Sequence, residues 1–168
     1  KVLFVAWFLR PDRTWLGEYL DTDRYECGYI GLNVKPDITQ KRTGALKWLM
    51  YFRLAAKARW HMFFNRYDLV VTSFPQVGFA MSVMQWLFRD TTPHIVWLFN
   101  MGHAYQGLTQ KLSKRFLRSV SRFIVYSNHE RVAYSNTLGI PIDRFVFTPL
   151  TISKITRQEY SGTREKYK

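Results

Sequence analysis

Residues 121–150 read SRFIVYSNHERVAYSNTLGIPIDRFVFTPL, and this stretch decides the fold. Residues 122–126 form a short apolar run between polar neighbours, the pattern of a strand covered on both faces in a parallel sheet. Ser127 and Asn128 then offer side-chain oxygens to cap a helix beginning near His129. Glu130 falls in the first turn, where the helix dipole favours an anion. Gly139 supplies a left-handed stop, and Pro141 prevents the helix from resuming. Residues 145–148 return to strand and close on Pro149-Leu150. The whole is a strand–helix–strand unit, and such units build open α/β sheets that bind ligands at the carboxyl ends of their strands.

Working outward, the same alternation runs along the chain. Residues 2–9 (VLFVAWFL) read as the first and central strand, and residues 16–20 as a short helix. Residues 25–34 form a second strand in which Gly28 and Gly31 mark a bulge or close packing. Residues 44–67 read as a long helix with Leu49, Phe52, Ala56 and Phe63 as its core stripe and Arg53 and Lys57 as a neighbouring cationic stripe. Residues 68–73 are a third strand, followed by a helix opened by Pro75-Gln76 and broken at residues 90–93. Residues 94–99 make a fourth strand. Residues 109–120 form a helix with Leu112, Phe116, Leu117 and Val120 inward and Lys111, Lys114, Arg115 and Arg118 outward. The expected fold is a Rossmann-like, open, doubly wound and mainly parallel α/β sheet with helices on both faces. It occupies residues 1–150, and the polar, aperiodic residues 151–168 read as a linker.

Composition narrows the classes further. At 168 residues, with 47% hydrophobic and 17% aromatic residues, the chain has material for one substantial core and is not disordered. No apolar run reaches the roughly 18–20 residues of a spanning helix, and the opening KVLFVAWFL reads as strand rather than signal peptide. Cys27 is the sole cysteine, expected as a buried structural thiol in a reducing, cytoplasmic setting. One Cys and four scattered His give no metal-ligand spacing, and no metal site is expected. Neither a Gly-x-Ser-x-Gly elbow nor a phosphate loop ending in Gly-Lys-Ser/Thr is present. A net charge of +13 calls for an anionic partner. Nucleic acid is disfavoured, because the cations are spread over helices and no helix-turn-helix, RNA-recognition or zinc-finger signature accompanies them.

The segment 121–150 also resembles the end of the N-terminal domain of GT-B glycosyltransferases, above all the retaining family four. The matching residues are Ser127, Leu138-Gly139-Ile140-Pro141, Asp143-Arg144 and Pro149. The resemblance implies one half of a GT-B enzyme, the acceptor side, inactive alone and joined through residues 151–168 to a second domain. That missing domain would grip a nucleotide-sugar donor, so no cofactor is expected in this chain. The reaction implied is transfer of a sugar to a hydroxyl, in lipid-linked or cell-surface glycan synthesis, with a sugar or lipid-linked acceptor.

Candidate residues follow from the loops after the strands. The family's paired glycines after the first strand are absent here, leaving Arg10 and Arg13 to meet an anion by side chain. After the fourth strand, where relatives carry a histidine, Asn100 stands in line and His103 follows. Asn hydrogen-bonds a hydroxyl, while His can also take its proton, so these two are the catalytic candidates. Ser73, Gln76, Ser127 and Asn128 are acceptor-binding candidates, with helix capping as the plainer role. Lys47, Trp48, Arg53, Lys57 and Trp60 combine cations with amphipathic rings and are expected to touch an anionic membrane, placing the protein peripherally on its inner face. The alternatives are a basic nucleic-acid-binding module and a non-catalytic α/β interaction domain.

Overall fold

A computed structural model describes residues 1–9, 16–32, 44–102 and 106–149. Strands β1 (Val2–Val5), β2 (Cys27–Ile30), β3 (Leu69–Ser73), β4 (His94–Trp97), β5 (Arg122–Val125) and β6 (Phe145–Phe147) alternate with helices α1 (Gly44–Phe64), α2 (Phe74–Leu87), α3 (Gly107–Leu117) and α4 (Asn128–Leu138). Short 3-10 turns occupy Leu16–Tyr19 and Ile142–Arg144. The six strands form one sheet in the order β2-β1-β3-β4-β5-β6, and every pairing is parallel. The Rossmann-like α/β sheet expected from the alternation is therefore present, and β1 is an inner strand between β2 and β3.

From β2 onward the chain steps across the sheet in one direction, passing over β1. Right-handed crossovers then put α1 to α4 on a single face. The core clusters agree: Leu3, Val5 and Val70 pack against Leu54, Ala58 and Met81, while Phe123, Val125 and Phe145 pack against Leu117 and Leu138. Only the step from β1 back to β2 runs the other way. The other face is accordingly covered more thinly, with Leu16 and Leu20 of that connection lying on Val2, Phe4 and Val71.

The strands are shorter than the apolar runs that contain them. β1 ends at Val5, with one more bond from the Ala6 N–H to the Ile30 carbonyl at 3.1 Å, although Ala6 and Leu9 beyond it are also buried. Gly28 and Gly31 mark close packing: a Cβ on Gly28 would run into the Tyr67 ring, and one on Gly31 into the Leu9 carbonyl. Cys27 is half-buried rather than enclosed, because its strand lies at the edge of the sheet and its side chain faces the thin side.

Helix α1 departs most from its sequence pattern. Its buried face is Met50, Leu54, Ala55, Ala58 and Met62. Of the stripe expected from spacing, Leu49 is 65% exposed and Phe63 72% exposed, Ala56 is exposed and Phe52 half-buried. The helix is apolar around most of its circumference, so periodicity alone does not choose a face. The small side chains Ala55 and Ala58 let α1 close on the sheet and α2, and they set the choice. In α3 the expected inward Leu117 is buried, as is Val120 just beyond its end, but Leu112 is 39% exposed and Ser113 takes an inner position.

Candidate functional site

In a parallel sheet every strand points its carboxyl end to one edge, and the loops after β3, β4 and β5 lie side by side there. Arg10, Arg13 and His103 fall outside the described residues. The remaining acceptor and catalytic candidates occupy this edge on three successive loops.

Ser73, the last residue of β3, stands at the N-cap of α2 but makes no side-chain cap bond. It is wholly buried, and its Oγ finds no hydrogen-bond partner. Phe74 follows with φ of +61°, a left-handed backbone that is strained for a bulky side chain. Pro75 then seats the first turn of α2, where its missing N–H costs nothing, and Gln76 is half-buried beside it. Leu98, just past β4, is also left-handed at +57°. Two strained bulky residues thus follow neighbouring strands at this edge.

Asn100 is exposed, and its Oδ1 accepts the Gly102 N–H at 2.8 Å. That bond orients the amide, leaving its NH2 group to donate outward. Ser127 caps α4, its Oγ accepting the His129 N–H at 3.1 Å. Asn128 Oδ1 accepts from Arg131 Nη1 at 3.2 Å.

Sequence reading assigned Glu130 only to the first turn of α4, yet it ties two loops together. Its Oε2 accepts the Tyr126 N–H at 3.1 Å and its Oε1 the Tyr134 hydroxyl at 3.1 Å. Tyr134 in turn accepts the Met101 N–H at 3.3 Å, next to Asn100. The Glu130–Tyr134 spacing of one helical turn was visible in the sequence, but the bond to Met101 was not. Burial pushes the Tyr126 hydroxyl upward despite a hydrogen bond with Trp97 that pulls it down.

The membrane candidates on α1 separate into two groups. Trp48 packs edge-on against Tyr51 and Phe79, so it forms a wall rather than a free tip. Lys57 donates to the Gly31 carbonyl at 3.2 Å, Lys47 is half-buried, and Arg53 is exposed. Trp60 is 69% exposed, stacked on Phe63 and edge-on to Phe64, which are themselves exposed. No described helix is long and apolar enough to cross a membrane. Among the described residues no three His, Cys, Asp or Glu side chains group in a way that could hold a metal.

No protein-family model matches the chain, and no curated protein does. Among solved structures, MurG of Acinetobacter baumannii aligns with 92% of this chain and 46% of its own, at 13% identity and a TM-score of 0.45. The chain thus spans less than half the length of that protein, and a likeness of this size bears on neither site nor activity.

Proposed function

We propose that this chain is the acceptor-side domain of a GT-B glycosyltransferase that moves a sugar from a nucleotide-sugar donor to a hydroxyl. The observation that carries the reading is the segment 121–150. It folds as β5, a Ser127-capped α4, a left-handed Gly139 and β6, in the order the family resemblance calls for. The strand edge supports it, since Gln76, Asn100 and Asn128 offer side-chain amides there to a hydroxyl-rich ligand.

In this reading the domain works by placement. Asn100 donates its amide N–H to a hydroxyl of the acceptor, Gln76 and Asn128 fix the ligand alongside, and His103 receives the proton of the attacking hydroxyl. Holding the two reactants in line converts a bimolecular encounter into an oriented one, which supplies a large part of such an enzyme's rate. A second domain holds the nucleotide. The exposed rings and cations of α1 rest on an anionic membrane, with Trp60 and Phe63 as the inserting tips.

The test is transfer by the full-length protein, offered a panel of nucleotide sugars with hydroxyl acceptors. The expected result is turnover or thermal stabilisation with one donor. Asn100→Ala and His103→Ala should each lower turnover by about a hundredfold, the usual weight of a proton-transfer or positioning group. No response to any donor rejects the enzyme reading. Flotation with phosphatidylglycerol and phosphatidylcholine vesicles tests the membrane part separately, and equal binding to both rejects it.

A further inference from the structure

The layer of helices α1, α2 and α3 carries charge of one sign only. Lys47, Arg53, Lys57 and Arg59 lie on α1 and Lys111, Lys114 and Arg115 on α3, and none of the three helices contains a carboxylate. Four of the eight described acids, Glu18, Asp21, Asp23 and Glu26, lie on the β1–β2 connection, whose Leu16 and Leu20 cover the other face of the sheet. A domain of such polarity orients its helical layer toward anions.

That layer also holds a groove running along α2. Its floor is Phe79 and Val83, one wall is Trp48 and Phe52 of α1, and the other is Leu112 and Phe116 of α3. The rings meet edge to face in a continuous row, Trp48 to Phe79 at 5.6 Å, Phe79 to Phe116 at 5.7 Å and Phe116 to Trp86 at 5.5 Å. The cavity is about 430 Å³ and almost entirely apolar, within the size range of small-molecule sites. Phe116 also lines a second cavity of about 550 Å³, bordered by Trp86, Arg89, Asp90 and Arg115.

The second cavity is built for an anion. Arg115 lies over the faces of Trp86 and Phe116, 5.4 and 5.9 Å from the ring centres, which holds its guanidinium in place. Neither Arg89 nor Arg115 pairs with a carboxylate among the described residues. Asp90, the one acid lining it, is already engaged: Oδ1 accepts from Thr92 N and Oγ1, and Oδ2 lies 3.5 Å from Arg59 Nε.

We infer that this groove binds a single hydrocarbon chain of an anionic lipid, with the headgroup on Arg89 and Arg115 and the chain laid along α2 over Phe79 and Val83. An apolar trough ending in two unpaired arginines matches an amphiphile with one charged end. A neutral chain would leave the arginines unused, and a free anion would leave the trough empty. The inference stands on shape and charge and does not depend on sugar transfer.

The test uses bromododecyl phosphate below its micelle concentration, because bromine quenches an indole only on contact. The full chain should show saturable quenching, much of it lost in Trp48→Phe. Arg89→Gln and Arg115→Gln should each weaken binding about fivefold, the equivalent of one cation near an anionic lipid surface. Val83→Phe fills the floor and should abolish binding. Leu112→Glu does the same from an exposed wall position that cannot disturb the core, and circular dichroism checks that both variants fold. Bromododecyl maltoside and inorganic phosphate, offering chain or charge alone, should bind at least tenfold more weakly. Quenching equal with the maltoside, or unchanged in Val83→Phe and Leu112→Glu, overturns the inference. So does quenching seen only with brominated phosphatidylglycerol vesicles, which would mean a bilayer rather than one chain. A dimer in sedimentation that Leu112→Glu dissociates, without quenching, would mean a second copy occupies the groove. Because no nucleotide sugar is present, failure here leaves the glycosyltransferase reading untouched.

Discussion

Acid should unfold this protein through His94, a neutral imidazole sealed between β4 and α2. The residue is 1% exposed. Nε2 lies 2.9 Å from Thr72 Oγ1, and Nδ1 makes a long contact of 3.5 Å with Ser82 Oγ. Ser82 donates its own proton to the Gly78 carbonyl at 2.9 Å, so its oxygen faces the ring as an acceptor. The neutral ring thus satisfies both neighbours, donating from Nδ1 and accepting the Thr72 hydroxyl at Nε2. A second proton would bring a charge into a buried site out of reach of bulk solvent. Burial pushes His94 down to about 3, against a smaller upward pull from Asp90. In the unfolded chain the same group titrates near about 6.5. The folded value lies below the unfolded one, so the unfolded chain takes up the proton first. Stability from this group is therefore complete above about pH 6.5 and declines as the pH falls toward 3. At about 1.4 kcal/mol per unit, the whole interval corresponds to about 5 kcal/mol, and about 2 kcal/mol is gone by pH 5. Against a total of about 5–15 kcal/mol for a domain, that is a measurable fraction. Urea unfolding at pH 7.5, 6 and 5 reads the effect before most carboxylates titrate. His94→Gln, which keeps hydrogen-bonding atoms but cannot titrate there, should start less stable and change by less than about 0.5 kcal/mol over the same interval. Equal slopes for the two proteins between pH 6.5 and 5 would refute the reasoning.

Three further perturbations probe other parts of the fold. Phe123 stacks on Phe145 at 4.8 Å and meets Phe99 at 4.7 Å, so Phe123→Ala should cost about 3–5 kcal/mol in denaturant unfolding; a loss under about 1 kcal/mol would mean this cluster is not a core. Glu130→Ala removes the acceptor for Tyr126 N–H and Tyr134, at about 1–3 kcal/mol, and should speed amide exchange at Tyr126 and Met101. Unaltered exchange at both amides would show that the two loops are held by other means. Gly31→Ala drives a Cβ into the Leu9 carbonyl, a backbone atom that cannot step aside, and should lower stability by about 2 kcal/mol or more; a melting temperature within a degree of wild type would contradict that packing.

What the sequence by itself determined was set by near neighbours. Ser127 caps α4 because its oxygen reaches an amide two residues on, and Gly139 ends the helix because a residue without Cβ enters the left-handed region freely. The buried strands were equally legible, since a parallel sheet covered on its helical face demands short apolar runs, and the alternation with helices led to a mainly parallel sheet, whose order the sequence did not give. Of the candidate site, the sequence placed Ser73, Asn100, Ser127 and Asn128 at the carboxyl ends of the right strands. It could not tell that Ser73 would be buried without a partner or that Asn100 would be steadied through Gly102. Tertiary structure alone decided which side of α1 faces inward, because a helix apolar nearly all round leaves that choice to the fit of Ala55 and Ala58 against their neighbours. It also decided that Glu130 reaches Met101 through Tyr134, and that residues from 48 to 116 meet in one groove along α2. Local chemistry acts over a few residues and can be read in order along the chain. Faces, grooves and charge polarity depend on which distant segments the sheet brings side by side, and they exist only once it has formed.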